Sequence, residues 1–231
     1  MSKPYEHSVY IEDTDAMGVM LNSEYPRQME RALPAGDKLF GCKALKYLKP
    51  AELGDKLKWT AASGRKAGTF KVTCEREGDE VAIFIATGVV STALQDGDVS
   101  GGVPDTPHSS SFVVIGDELC AFTGQLHTRT VFNLFERGRT DILGGGKGLK
   151  TMMNASSGIE SVVVARVSDY RLSQHRVQSG QALSVRTQVN NMGVMVDFQQ
   201  FICGEDGRLL ARATVTCMAL SPKGTPVTLE L

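Results

Sequence analysis

Residues 52–94, ELGDKLKWTAASGRKAGTFKVTCEREGDEVAIFIATGVVSTAL, and residues 178–220, QSGQALSVRTQVNNMGVMVDFQQFICGEDGRLLARATVTCMAL, are two copies of one pattern. Gly54 and Gly180 are 126 positions apart (180 − 54), and so are the two closing leucines. Each copy contains three runs of alternating apolar and polar residues, separated by glycine-containing turns. Such runs predict an antiparallel meander with one face on a core. The chain is therefore predicted to contain one unit twice.

A helical segment precedes each meander. The first, SEYPRQMERA, begins with Ser23 as the expected N-cap and has Pro26 in its first turn, where the missing N–H is harmless. The second, TRTVFNLFERGRTDIL, begins at Thr128 and carries an apolar face. Glu30 and Glu136 mark equivalent helix positions, 106 residues apart (136 − 30). Each unit is therefore expected to be strand, helix and strands, which gives an α+β fold class.

A stretch of different composition separates the two copies. Residues 95–111, QDGDVSGGVPDTPHSSS, are rich in Gly, Ser, Pro and Asp and contain few apolar side chains. Such a segment cannot recover its ordering entropy through burial, so it is predicted to be a linker. The expected organisation is an N-terminal unit over residues 1–94 and a C-terminal unit over residues 112–231.

Bulk composition narrows the classes of function. The chain has 231 residues, 42% hydrophobic and 22% charged, with a net charge of −1 and a pI near 6.4. These values indicate a folded protein without general attraction for nucleic acid or anionic membrane. The apolar window at residues 81–90 is too short to span a bilayer, and MSKPYEHSVY lacks a signal-peptide core. Five singly spaced cysteines favour free thiols in a reducing cytoplasm over disulfides or a zinc site.

Four motifs then point to a known family. They are DTDAMGVMLNSEY (residues 13–25), YLKPAELGD (47–55), FERGRTDIL (135–143) and VVVARVSDYRLSQHRVQSGQAL (162–183). Together they resemble the hotdog-fold thioesterases typified by 4-hydroxybenzoyl-CoA thioesterase and the YbgC-like acyl-CoA thioesterases. The resemblance covers nearly the whole chain except the linker. It implies two tandem hotdog units, each an antiparallel sheet wrapped around a central helix, paired as an intramolecular pseudo-dimer.

The same resemblance implies an activity and a site. The activity is hydrolysis of an acyl-CoA or acyl-carrier-protein thioester at the junction of the units, without a metal or other cofactor. Asp15 aligns with the family's catalytic carboxylate, acting as nucleophile or as general base toward water. Gly18 would turn the chain, and the helix start at Asn22, Ser23 and Tyr25 would polarise the thioester carbonyl through backbone N–H groups. Asp13 is expected to stabilise the turn.

The two units are not equivalent at this site. The helix offset places Ala121 opposite Asp15, so one competent site per chain is expected. Glu30 and Tyr47 are 17 residues apart (47 − 30), whereas Glu136 and Tyr170 are 34 apart (170 − 136), so the first unit should have a shortened helix and following strand.

Further pocket residues are expected from the second unit. Its segment near Asn154 to Glu160, including Ser156 and Ser157, is expected to wall the pocket that Asp15 faces. His127 is expected to line the pseudo-equivalent pocket.

Other interpretations stay open. A non-catalytic acyl-thioester-binding or scaffold protein is the alternative from a different class. A hotdog dehydratase is less favoured, because the H-x-x-x-G-x-x-x-x-P and D-x-N-P-x-H patterns are not visible. The run LGGGKGL (residues 143–149) lacks the spacing of a phosphate-binding loop and predicts a helix stop and a flexible loop. Assembly of the chain into a homo-oligomer is also expected.

Overall fold

The structure, a computed structural model, describes residues 4–33, 39–65, 69–79, 81–89, 99, 103–105, 108–121, 123–154 and 158–229. The elements of the first unit are β1 (Tyr5–Ser8), α1 (Glu24–Ala32), β2 (Gly41–Tyr47), β3 (Lys56–Ser63), β4 (Thr69–Arg76) and β5 (Ala82–Val89). Those of the second are β6 (His108–Val113), α2 (Thr128–Ile142), α3 (Gly145–Asn154), β7 (Ser161–Leu172), β8 (Ala182–Asn191), β9 (Met195–Gly204), β10 (Leu209–Leu220) and β11 (Pro226–Val227).

The strands form a single antiparallel sheet that shows the duplication directly. Their order is β1-β3-β4-β5-β2-β7-β10-β9-β8-β6, with β11 added beside β10. Read from either end towards the middle, the strands of the two units follow the same sequence. The predicted α+β fold, with two sheet-and-helix units paired inside one chain, is confirmed.

The turns that open the two meanders have the same backbone conformation. Gly54 has a φ of +89° and Gly180 a φ of +88°, in the left-handed region that glycine adopts without a steric penalty. The predicted three-stranded meanders follow as β3–β4–β5 and β8–β9–β10. The repeat read from sequence spacing is thus present in the backbone.

Aromatic side chains fill the core beneath α1. Tyr25, Trp59 and Phe84 are fully buried, and Tyr47 packs against them. The ring centroids of Tyr25 and Phe84 are 5.3 Å apart, and those of Trp59 and Phe84 are 5.6 Å apart. Each such pair contributes about 0.5–1.5 kcal/mol beyond its buried area. The Tyr25 hydroxyl also accepts a hydrogen bond from the Ala51 N–H at 2.8 Å.

The two units are joined by backbone pairing and by charged side chains. Strand β2 pairs with β7 from Gly41 opposite Arg171 to Lys46 opposite Arg166, which makes the sheet continuous across the junction. At the helix starts, the fully buried Glu24 forms ion pairs with Arg27 of its own unit and Arg129 of the other. The pseudo-dimer is therefore held by both the sheet and the helices.

The first unit is shortened where the sequence predicted. Helix α1 has 9 residues against 15 in α2, and β2 has 7 against 12 in β7. Leu33 ends α1 with φ −72° and ψ 160°, the extended conformation that a following proline favours. Pro34 itself lies outside the described residues.

Two sequence expectations need correction. Strand β6 begins at His108, inside the predicted linker, so the second unit starts before residue 112. Its serines pair with β8 through the backbone, which needs no apolar side chains. The run at residues 143–149 does stop α2, but α3 begins at Gly145 in place of the expected flexible loop. Gly144 and Gly145, both at positive φ, make the break between the helices.

Two further observations concern the chain as a whole. The five cysteines are free thiols, and Cys42, Cys74, Cys203 and Cys217 are buried. The Cys42 thiol donates to the Thr87 carbonyl oxygen at 2.7 Å. Within the described ranges, every helix is too short or too polar to span a lipid bilayer.

Candidate active site

A cavity of about 450 Å³ opens between the two units beside the start of α1. The first unit contributes Leu21, and β6 of the second contributes Phe112. Helix α2 supplies the polar wall, formed by Asn133, Glu136, Arg137, Thr140 and Asp141. The guanidinium carbon of Arg137 lies 5.8 Å from the Phe112 ring centroid, within cation–π range. Because its walls come from both units, the cavity depends on their pairing.

The repeat places one glutamate at this cavity and its equivalent elsewhere. Glu136 lines the cavity and is half-buried, and no residue in the described ranges hydrogen-bonds or ion-pairs with its carboxylate. Glu30, its equivalent on α1, accepts hydrogen bonds from the Thr128 hydroxyl at 2.6 Å and the Leu39 N–H at 3.0 Å. At the start of α2, where the repeat would place a second site, Thr128 and Leu39 therefore occupy the Glu30 carboxylate, whereas the Glu136 carboxylate faces the open cavity.

A tyrosine lies near each of these glutamates, the half-buried Tyr47 near Glu136 and the fully buried Tyr170 near Glu30. The Tyr47 hydroxyl donates to the carbonyl oxygen of Asn22 at 3.1 Å. Burial raises the pKa of Tyr47 far above its ordinary value, with the Tyr25 phenol as the next cause of the rise and the Glu136 carboxylate as a minor one. Burial likewise raises the pKa of Tyr170, with Glu30 as the next cause. Both phenols stay protonated near neutral pH, so they can donate hydrogen bonds but cannot act as bases.

Asp15 lies in a tight hairpin that precedes α1. Thr14 pairs with Met20 across the hairpin, and the Gly18 N–H donates to the Asp15 carbonyl oxygen at 3.1 Å. Gly18 has a φ of +77°, a conformation that side chains other than glycine rarely adopt. The predicted role of Gly18 in turning the chain is confirmed.

Backbone hydrogen bonds fix the orientation of the Asp15 carboxylate. Its Oδ1 accepts from the Met17 N–H at 2.8 Å and from the Val19 N–H at 3.0 Å. Within the described part of the chain no group donates to Oδ2. One oxygen is thus held by the loop, while the other remains available to water or a ligand.

The expected enclosure of Asp15 between the units is wrong. Its side chain is exposed, and it is not among the described residues that line the cavity. The physical reason is local: the two backbone N–H groups hold the carboxylate against its own hairpin. Its role in chemistry stays a prediction.

Asp13 is the buried acid of the pair, at 3% exposure. Its Oδ2 accepts from the Tyr10 N–H at 3.0 Å, which is the turn-stabilising role that was predicted. The same oxygen lies 2.9 Å from His7 Nε2, a contact that the sequence did not indicate. Two acids separated by one residue therefore have opposite environments.

The helix start is as predicted in position but not in every contact. Helix α1 begins at Glu24 with Ser23 as its N-cap residue, yet the Ser23 hydroxyl makes no capping hydrogen bond and is buried. Asn22 contributes its carbonyl oxygen to the Tyr47 contact. The Tyr25 side chain belongs to the aromatic core, so only its backbone remains a candidate for polarising a carbonyl.

The pocket-lining predictions in the second unit have separate outcomes. His127 is exposed at the N-cap position of α2, where its carbonyl oxygen accepts from the Val131 N–H. Ser156, Ser157 and the Asn154 side chain lie outside the described residues. The wall that the structure does place opposite α1 comes from α2 and β6, and it includes Glu136. Sequence reasoning used Glu136 only as a repeat marker, although its equivalence to Glu30 was the available signal.

Solved structures share this architecture along almost the entire chain. A 12:0-ACP thioesterase from Umbellularia californica is similar over 94% of both chains, with a TM-score of 0.63 and 9% identity. The dehydratase domain of PpsC from Mycobacterium tuberculosis, in complex with C12:1-CoA, covers 94% of this chain and 93% of its own, with a TM-score of 0.59 and 10% identity. A hot dog fold protein of unknown function from Alicyclobacillus acidocaldarius covers 95% and 94%, with a TM-score of 0.56 and 14% identity.

These likenesses define the fold as a tandem double hotdog. No protein-family model and no curated protein matches the sequence. At identities of 9–14%, the likeness concerns architecture, and the three neighbours carry different descriptions. Function must therefore be argued from the residues of the cleft.

Proposed function

We propose that the chain hydrolyses acyl thioesters of CoA or acyl carrier protein at the cleft between its units. The observation that carries this proposal is the cavity in which Leu21, shortly before α1, faces the carboxylate-bearing side of α2. The end-to-end likeness to a 12:0-ACP thioesterase supports the same substrate class. A thioester bound here would lie beside the carboxyl groups of Glu136 and Asp141 and near the N-terminus of α1.

Asp15, on the exposed hairpin outside the cavity, is the proposed nucleophile or general base, so in this proposal the thioester carbonyl extends from the cavity to the hairpin that precedes α1. As a base, its free Oδ2 takes a proton from water while the water oxygen attacks the thioester carbon. The C–S bond then breaks, and the leaving thiolate takes that proton back from Asp15. As a nucleophile, the same oxygen attacks the thioester carbon, the C–S bond breaks and the thiolate leaves as an anhydride forms. Water then cleaves the anhydride to the free acid, which restores the Asp15 carboxylate, and the thiolate takes up the proton that the water releases. The backbone N–H groups at the start of α1, near Asn22 and Ser23, stabilise the charge that develops on the carbonyl oxygen.

The test is release of free thiol from a panel of acyl-CoA and acyl-carrier-protein substrates. Asp15→Asn should lower kcat by at least about 100-fold, because the neutral amide cannot accept the proton. The substituted side chain retains an oxygen for the Met17 and Val19 N–H groups, so the hairpin should stay folded. Glu12→Gln, which removes an exposed acid close by, is the matched control and should leave turnover unchanged.

The exposure of Asp15 favours one other candidate, a protein that binds acyl thioesters without cleaving them. The same assay separates the two. Thiol release that depends on Asp15 supports hydrolysis, whereas calorimetric binding of acyl-CoA without thiol release supports the binding protein.

Association of chains into a homo-oligomer remains a proposal. Its support is the apolar exposure around the Asp15 hairpin, where Ile11 is 75% and Met17 is 84% exposed. Light scattering of the purified protein tests it, and a monomer at all concentrations would contradict it.

A further inference from the structure

Helix α2 and the sheet are in contact at Gly138, which limits where an acyl group can bind. A Cβ added to Gly138 would lie 2.7 Å from Val185 Cγ1, so helix and sheet are already at contact distance. Beside this contact, Arg139 donates to Gln200 Oε1 at 2.8 Å, and Gln200 Nε2 donates to the Phe135 carbonyl oxygen at 2.8 Å. At Gly138, therefore, helix and sheet are in contact and the neighbouring side chains are partly polar, so an alkyl chain does not fit between α2 and its sheet at this point.

The open cavity on the other side of α2 has a mixed lining, in which polar and charged side chains outnumber apolar ones although apolar atoms form more of its surface. Apart from Leu21 and Phe112, its described wall consists of an amide, a hydroxyl, two carboxylates and a guanidinium. A long alkyl chain laid against this wall would remove water from charged groups without replacing their hydrogen bonds, which costs free energy. A short acyl group covers fewer of those side chains than a long alkyl chain does.

Among the described residues of this wall, Glu136 is the one whose carboxylate is best placed to accept a hydrogen bond from a ligand. It is half-buried within the cavity and has no hydrogen-bond or ion-pair partner in the described ranges, whereas Glu30 at the equivalent position has two donors. An ionised carboxylate only accepts hydrogen bonds, so its complement on a ligand is a donor such as a hydroxyl.

Resting on the proposed function, we propose that the cleft selects a short acyl group that carries a hydroxyl, and that Glu136 is the residue that recognises it. In this arrangement, Glu136 accepts a hydrogen bond from the hydroxyl. An unsubstituted acyl group leaves the half-buried carboxylate without that donor and binds less well in the transition state. Glu136 thereby sets specificity, while Asp15 and the helix start carry the hydrolysis.

The test compares three substrates: 3-hydroxybutyryl-CoA, butyryl-CoA and decanoyl-CoA. The kcat/KM of the wild-type protein for the hydroxylated substrate should exceed that for butyryl-CoA by at least about tenfold, with decanoyl-CoA lower still. Glu136→Leu should bring the hydroxybutyryl to butyryl ratio close to one through loss on the hydroxylated substrate alone. Glu136→Gln, which keeps a weaker acceptor and the side-chain volume, should give an intermediate ratio. Glu77→Leu, at an exposed ion pair with Lys56, is the matched control and should keep the wild-type ratio.

Three results would overturn the proposal: butyryl- or decanoyl-CoA as the better substrate, a ratio unchanged in Glu136→Leu, or an equal loss on all three substrates. The last result would assign Glu136 to chemistry and not to recognition. If no thioester releases thiol, the proposed function fails separately. The same ratio is then measured from the calorimetric dissociation constants of the intact thioesters, and a ratio near one in the wild-type protein overturns the recognition role as well.

Discussion

Gly138→Ala tests how closely α2 packs against its sheet. Replacing glycine by alanine inside a helix normally stabilises it by about 1 kcal/mol. At this position the new methyl group would meet Val185 Cγ1 at 2.7 Å and Gln200 Nε2 at 3.2 Å. Optimal contacts between carbon atoms are about 3.5–4.0 Å, so the helix must move away or Val185 must leave its rotamer.

The expected magnitude follows from these opposing terms. Overpacking costs about 1–3 kcal/mol. Displacing Gln200 also weakens its bonds to the Phe135 carbonyl and the Thr187 hydroxyl, at about 1 kcal/mol. After the helix-propensity gain, the net loss in the free energy of unfolding is about 1–3 kcal/mol. For a chain of this length, that corresponds to a fall in Tm of roughly 2–12 °C.

The matched control is the same substitution in α3. Gly146 is exposed, and a Cβ there has no atom within 4 Å. Gly146→Ala should therefore keep the propensity gain and raise Tm by up to roughly 2–4 °C. Thermal unfolding followed by far-UV circular dichroism measures both variants. A Gly138→Ala protein as stable as the wild type, beside a normal gain at Gly146, would refute the reasoning.

Three other predictions follow from the fold. Glu24→Gln should lower the free energy of unfolding by about 1–3 kcal/mol, because it removes a fully buried carboxylate that pairs with Arg27 and, across the units, with Arg129. Both arginines are only partly exposed, so water replaces the lost carboxylate incompletely. Urea denaturation measures the change, and an unchanged free energy of unfolding would contradict the ion pairs. Burial raises the pKa of the Cys42 thiol from 9.0 to about 12. Between these two pKa values the unfolded chain loses the Cys42 proton and the folded chain keeps it. The free energy of unfolding is therefore unaffected by this group below pH 9 and falls between pH 9 and about pH 12, by up to about 1.4 kcal/mol per pH unit. A Tm that does not fall between pH 8 and pH 10.5 would contradict this sign. The single tryptophan, Trp59, lies in the first unit, and the β2–β7 pairing couples that unit to the second. Its fluorescence and the far-UV circular dichroism should change at the same urea concentration, and an earlier fluorescence change would show that the units unfold separately.

Local and periodic features could be predicted from the sequence. The equal spacing of Gly54 and Gly180, and of the runs that follow them, was enough to place two meanders. The helix starts at Ser23 and Thr128 followed from capping preference and the apolar pattern. These signals depend on neighbours within one element, so a single sequence contains them.

The environments of the acids could not be predicted in the same way. The pattern Asp-Thr-Asp does not specify which acid is buried. The difference arises because His7, on the preceding strand β1, contacts Asp13, while Asp15 bonds to its own hairpin. Likewise, the contrast between Glu30 and Glu136 depends on Leu39 of the same unit and on Thr128 of the other unit, and Thr128 reaches Glu30 only after the units pair. Contacts across the junction leave no periodic trace in the sequence.

Joining the two units in one polypeptide has a consequence for how the cleft can vary. In a symmetric dimer of identical chains, every substitution is present twice, so a change that closes one site closes the other. Here Glu30 and Glu136 are encoded separately. Glu30 binds Thr128 at the start of α2, whereas Glu136 makes no such contact among the described residues and lines the cavity. Because the two units are parts of one chain, a substitution at Glu136 can change ligand binding while Glu30 keeps its structural contacts.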